Sequence, residues 1–386
     1  MNQIYFNKYF PLLIYIILGY CAFVGMMGQS TLGDFHPEIN HLMHRIQKVF
    51  SWILILGFVY QSFTNGCGKW QYIVFFLFLL NLAFSRTHTW LIFDILFVPL
   101  LLSSFVTSDR VYKIYFFVCL FTTFFIFFLY GIDYLPTLSF KKFLLDKAYT
   151  LGFRHPNNFG FTFYLLSVLY FLIRKKFCTT DLIVLLVSFL LCLFFTQSRT
   201  ASIEIFVLII FSVICIYKKD IFFKNKKAVF YSSLVFYLIL IVILYFLALS
   251  EFGRYSFFEK YVGTFAARLY MGQEALLKYG FSLIGQKVHL IGDYEAINGI
   301  RYFVVDCFYF YSPIVIGIIP TLAIIICHII ALKRTIYKEN LRLYFVQILF
   351  IIFEMIEVTT IKTGFVLLMF MFPFCDLWKK SSYEES

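Results

Sequence analysis

Charge is scarce in this chain. Of its 386 residues only 14% are Asp, Glu, Lys or Arg, 61% are hydrophobic, and the mean hydropathy is +0.84. A water-soluble fold needs more polar residues than that to cover its surface, so lipid must be the solvent for most of the chain. Paired cysteines are lacking as well. The nine cysteines are scattered, mostly within apolar runs (Cys21, Cys119, Cys192, Cys215, Cys327), with no CxxC and no cluster in one loop, which argues against a disulfide framework or a cysteine metal site. No small-residue cleavage site closes the first apolar run, so it is read as a spanning segment and not as a signal peptide. No internal repeat relates the two halves, unlike transporters assembled from duplicated bundles.

What the chain does have is a succession of long apolar runs. A hydrocarbon core of about 30 Å takes about 20 such residues per helix. By that criterion about twelve spans are expected: 9–27, 47–63, 70–85, 90–106, 113–131, 158–173, 181–197, 200–217, 229–249, 303–331, 342–358 and 362–377. The expected fold class is therefore an all-α integral membrane protein, a single polytopic domain over 1–386. Its longer connections are 28–49, 132–157 and, between the ninth and tenth spans, 250–302.

The formal net charge is +12, but the basic residues fall in short loops between spans, which fits anionic lipid headgroups and phosphorylated lipids and not nucleic acid. Lys/Arg bias in short loops sets orientation. It places both termini in the cytoplasm, together with Arg174, Lys175, Lys176, the lysines of 218–227, Lys333, Arg334, Lys338 and Arg342. All three longer connections then lie outside. In this arrangement 14 of 22 lysines are inside, whereas 7 of 11 arginines (Arg45, Arg86, Arg154, Arg199, Arg254, Arg268 and Arg301) are outside. Guanidinium binds phosphate through paired, directional hydrogen bonds; equally, arginine snorkels at interfaces. Acids within spans normally face a polar cavity. Asp94, Glu204, Asp306, Glu354 and Glu357 all fall near an outer helix end, which suggests one polar site opening outward, or salt bridges that hold helices together.

Three polar strings interrupt the apolar background. The first is Leu151-Gly152-Phe153-Arg154-His155-Pro156-Asn157-Asn158, where Pro156 keeps His155 extended and opens a helix. His titrates near neutral pH and suits proton exchange with a sugar hydroxyl; a plain interfacial helix cap is the alternative. The second is Thr196-Gln197-Ser198-Arg199-Thr200-Ala201, a tight hairpin that holds Arg199 at the membrane surface, with Glu204 about one turn deeper and able to orient it. The third runs from Arg254 through Arg268 and a Gly280 to Gly285 turn to Asp306, with an amphipathic interfacial helix expected over 262–279. Asp293-Tyr294-Glu295 is a weak DxE pattern, and the site is expected to be metal-free.

In these strings and their order, the chain resembles the Wzy polymerase group of the O-antigen polymerase and ligase superfamily. The resemblance covers about 150–320; the first 130 residues match only as apolar spans. Two positions depart from the group's pattern: Cys307 stands where relatives often have Asn, and Lys147 where they often have Arg. The resemblance implies a GT-C-like architecture and a glycosyltransferase that joins undecaprenyl-pyrophosphate-linked oligosaccharide repeats into O-antigen, capsular or exopolysaccharide at the outer face of the bacterial cytoplasmic membrane. No cofactor is implied; a flippase and a chain-length regulator are the implied protein partners. Arg154, Arg199 and Arg268 would stabilise the pyrophosphate leaving group, and His155, Asp306 or Glu204 would take the acceptor's proton. Asn157, Asn158, Ser198, Arg254, Lys147 and Arg301 would contact substrate. An O-antigen ligase and, from another class, a lipid-linked oligosaccharide flippase remain alternative readings.

Overall fold

Where the sequence stays apolar for about 20 residues the chain is helical, because a helix satisfies every backbone donor and acceptor internally and lipid offers no substitute. The computed structural model describes residues 3–65, 106–137, 148–174, 176–217, 222–250, 256–291 and 303–358, with isolated positions at 72, 75, 76, 79, 139, 140 and 365. Its helices are α1 (Gln3–Met27), α2 (Leu32–Phe35), α3 (Pro37–Asn65), α4 (Ser108–Gly131), α5 (Pro156–Ile173), α6 (Thr179–Leu191), α7 (Arg199–Tyr217), α8 (Lys226–Leu249), α9 (Ser256–Tyr279), α10 (Phe308–Tyr311), α11 (Ile318–Tyr337) and α12 (Leu341–Glu354). A two-residue hairpin, β1 (Ser139–Phe140) with β2 (Ala148–Tyr149), lies between α4 and α5. Among the described residues, eight helices are long and apolar enough to cross a membrane. The protein is a multi-pass helical membrane protein.

Seven of those eight match expected spans. Apart from isolated positions, the expected spans 70–85, 90–106 and 362–377 lie outside the described residues. The second span corresponds to a longer helix: α3 starts at Pro37, inside the expected connection 28–49. Pro37 and Glu38 suit a helix start, and the polar stretch that follows is helix beyond the apolar segment. The connection 250–302 likewise holds more helix than expected, since α9 runs from Ser256 to Tyr279.

The tenth expected span, 303–331, is not one helix. Residues 304–307 are irregular, α10 passes into a π-helical turn over Ser312–Ile316, and the chain breaks at Gly317 (φ 113°) before α11 begins. Backbone groups freed by the break are taken up by the strand-like segment after α9. Ser282 N–H and Gln286 N–H donate to the Pro313 and Val315 carbonyls (3.2 and 3.1 Å), and the Ile318 and Ile319 amides donate to the Ser282 and Leu283 carbonyls (2.7 and 3.1 Å). Irregular backbone inside a membrane protein is tolerated where protein satisfies it in this way. A side chain at Gly317 would run into the Gly285 amide at 2.6 Å.

Helix ends gather at two faces. At one end the turn after α1 pairs with the strand before α5: Thr31 N–H donates to Gly152 O and Arg154 N–H to Gln29 O, each at 2.9 Å. At the opposite end Arg342 donates to the carbonyls of Phe171 (3.3 Å) and Arg174, Arg174 pairs with Asp181 at 2.9 Å, and Lys226 with Glu339 at 2.5 Å. Between the two ends the core is aromatic, with Tyr164 stacked on Phe353 (5.0 Å between ring centroids) and Phe153 on Phe159 (4.9 Å).

Candidate functional site

All three polar strings meet at the first of these ends. His155 is extended (φ −147°, ψ 149°) and caps α5: its ring Nδ1 accepts the Asn157 amide at 3.0 Å. Because Nδ1 is thereby an acceptor, the neutral ring carries its proton on Nε2 and presents a donor, not a base. One turn on, α5 presses against the second string. A methyl group at Gly160 would lie 2.4 Å from Ser198 Cβ, so only glycine permits the approach. Ser198 itself is buried; it follows a π turn and a left-handed Gln197 (φ 50°), and its amide donates to Thr196 Oγ1 at 3.1 Å.

The third string is joined to the first through an acid near the C-terminal end of the chain. Arg268, on α9, places Nη2 at 2.5 Å from Glu357 Oε1 and Nε at 3.6 Å from Asp306 Oδ2. Asn157 Nδ2 approaches the same Glu357 oxygen at 3.5 Å. Side-chain exposure decides the roles within this group: 8% for Arg268, 8% for Glu357 and 22% for Asp306. A guanidinium so enclosed, with a carboxylate on each of two nitrogens, is an organiser of acids. Arg268, expected as a ligand for phosphate, is instead committed to Glu357 and Asp306, because buried charge demands a paired partner. Asp306 is the acid that reaches outward.

Around this group the remaining candidates separate. Arg154 turns to Asp34 on α2, with Nε at 2.8 Å from Oδ2 and 41% side-chain exposure. Arg199 stands exposed at the first residue of α7. Glu204 does not orient it: five residues along a helix is about 140° of rotation, and Glu204 points into the bundle, where its Oε2 accepts no hydrogen bond from the described residues. Asn158 is half-buried on the first turn of α5, and its carbonyl accepts the Thr162 hydroxyl at 3.1 Å. Lys147, Arg254, Arg301, Asp94, Asp293 and Glu295 lie outside the described residues.

No family model matches the chain, and no curated protein or solved structure matches it. What the site can do must follow from its own geometry. That geometry is a partly open acid beside a buried cation, a histidine whose ring caps the helix, and two arginines at the rim, one half-buried and one exposed. Such a set can remove a proton from a hydroxyl and neutralise an anion that develops beside it.

One layer deeper lies Glu354, one of the acids expected at an outward polar site, with three residues that the sequence left unassigned, Tyr309, His328 and Tyr237. Tyr309, one turn beyond Asp306, donates to Glu354 Oε2 at 3.4 Å, and Glu354 is one turn inward of Glu357. His328 Nδ1 is 3.8 Å from the same oxygen and 3.3 Å from Tyr237 Oη. A histidine in the apolar run of α11 is itself a signal for a polar interior.

Proposed function

We propose that the chain is a Wzy-type polysaccharide polymerase, a glycosyltransferase with a lipid-pyrophosphate donor and a site on the outer face of the bacterial cytoplasmic membrane. Convergence of the three polar strings on one end of an apolar bundle, around an acid pair held by Arg268, is the observation that carries this reading. In the proposed reaction Asp306 takes the proton of an acceptor sugar hydroxyl. The hydroxyl oxygen attacks the anomeric carbon of the donor repeat, and the bond from that carbon to the phosphate oxygen breaks, its electron pair leaving with the lipid pyrophosphate. Arg154 and Arg199 at the rim, with the His155 N–H, would meet the charge on that leaving group. Arg268 is a positioning residue in this scheme.

An apolar cleft of about 210 Å³ beside the site supports a lipid-borne substrate; Tyr245, Tyr309, Pro313, Thr321 and Leu322 are among its lining residues. It runs between α8, α10 and α11, and Tyr309 is common to the cleft and to the polar interior. In the proposed arrangement about twelve spans form a GT-C-like bundle with both termini in the cytoplasm. The lysine-rich end with Arg174, Lys226 and Arg342 then faces inward, as short basic loops do.

Purified protein in detergent, given synthetic lipid-pyrophosphate repeat units, should yield polymer without nucleotide sugar, and a chelator should not stop it. Absence of polymer from well-folded protein, with lipid-linked repeats instead translocated across vesicle membranes, would replace this reading with the flippase.

A further inference from the structure

Below the Asp306–Arg268–Glu357 group, polar side chains continue through the apolar bundle in single file. The first layer is Tyr309, Glu354, His328 and Tyr237, linked by the contacts of 3.3 to 3.8 Å already given. Glu354 is fully buried and His328 nearly so. Tyr164 of α5, packed on Phe350 and Phe353 of α12, is the electrostatic neighbour of both Glu354 and Glu204. The groups facing Glu354 thus come from α5, α8, α10 and α11.

The file does not stop there. On α12 Gln347 is seven residues from Glu354, two turns deeper on the same face, and on α11 Thr335 bears the same relation to His328. The two helices are antiparallel neighbours, and His328 meets Glu354, so register sets Thr335 and Gln347 at a common depth about 10 Å further in. Both are 1% exposed. Gln347 Oε1 and Nε2, Thr335 Oγ1 and Glu354 Oε1 are all enclosed without a hydrogen-bond partner among the described residues. The α8 side matches: Ser233, one turn from Tyr237, shares a 2.8 Å hydrogen bond with the Tyr344 hydroxyl, which lies one turn from Gln347. Tyr344 belongs to the aromatic cluster at the opposite end, with Phe223 and Ile336.

Enclosed polar atoms that lack protein partners, set in succession, are the setting in which internal water is held. Carboxyl and imidazole groups accept a proton on one atom and release one from another, and a phenol hydroxyl donates and accepts at its single oxygen. We propose that this file between α8, α11 and α12 is a hydrated proton path, which joins the site at one end of the bundle to the basic face at the other. Its cargo is the proton. The step is balanced without chemistry: a proton enters at Asp306 and Glu357, one leaves near Tyr344, and each group returns to its starting state.

The path is tested with the full chain in vesicles of phosphatidylethanolamine and phosphatidylglycerol, with a pH-sensitive dye trapped inside and potassium with valinomycin clamping the voltage. After a pH jump, wild-type vesicles should lose the gradient faster than protein-free ones. Glu354→Gln should slow the loss to the protein-free rate, and so should Gln347→Leu with Thr335→Val, a pair that removes polar atoms with little change of volume. The apolar pair serves as the second variant because it stays monodisperse in detergent if packing alone is at stake. Wild-type vesicles that hold the gradient as long as empty ones would overturn the proposal, as would an apolar pair that conducts like the wild type, or a sodium requirement for flux. Flux without polymerisation in detergent leaves the path standing and removes the proposed function; polymerisation without flux does the reverse.

Discussion

Replacing Arg268 by methionine takes away the cation that stands between Glu357 and Asp306, and the consequence can be worked out from the distances. The shorter contact is 2.5 Å, with each partner 8% exposed. At an effective dielectric of about 20, unit charges about 4 Å apart interact by roughly 4 kcal/mol. Deleting one member of a buried pair costs about 3–5 kcal/mol, because the surviving charge is left uncompensated. Arg268→Met should therefore lower stability by about 3–5 kcal/mol. Adding Glu357→Leu should restore most of the loss, since it removes the stranded carboxylate, while Asp306, at 22% side-chain exposure, retains partial solvation. The cycle is measured by titrating purified protein in mixed micelles with a denaturing detergent and comparing the four unfolding curves. A cost for Arg268→Met below ~1 kcal/mol, the range of an exposed pair, would refute the reasoning. So would a double variant less stable than either single one.

The contact between α5 and the hairpin before α7 predicts that Gly160→Ala destabilises by about 1–3 kcal/mol, the usual cost of overpacking, and that Ser198→Gly rescues it; unfolding in the same micelles would show an additive loss if the two strings did not touch. His155→Asn keeps an N-cap acceptor and so should leave stability within ~0.5 kcal/mol, while chain extension in cells falls sharply because the ring N–H is gone; full-length polysaccharide from this variant would deny the ring any part. Arg199→Ala should abolish chain extension with membrane insertion intact, whereas Arg154→Ala should reduce it and cost under about 1 kcal/mol of stability, since its partnership with Asp34 is partly exposed; gel analysis of the polysaccharide separates the two. An alkaline phosphatase fusion after Gly285 should be active, and a well-expressed but inactive fusion would reverse the orientation.

Hydropathy made most of the helices legible because lipid leaves so few alternatives, and the three strings were legible because polar residues are rare in such a background. Direction within a helix was harder. Glu204 could be assigned to Arg199 by distance along the chain, yet five residues turn it to the other side, and only packing shows which side is interior. Arg268 was recognisable as important from its place before an acid, but its partner Glu357 comes from 89 residues further on, a contact no local pattern contains. Asp34 was missed for the same reason. The start of α3 had a local signal in Pro37-Glu38, outweighed by the polar residues that follow. The break in 303–331 also had one: Pro313, Gly317 and Pro320 in a single apolar run are poor company for a continuous helix.

That break also shapes how the chain is built into a membrane. A crossing needs about 20 apolar residues, and the run from Phe303 to Ala331 has a crossing and part of another. Cut at Gly317, its first part can dip and return its backbone bonds to 282–286, while the second part crosses. During synthesis the dipping part is made after the segment that satisfies it, so its partner is already waiting when Pro313 and Val315 leave the ribosome. Biogenesis at this point depends on the order of segments as much as on their hydropathy.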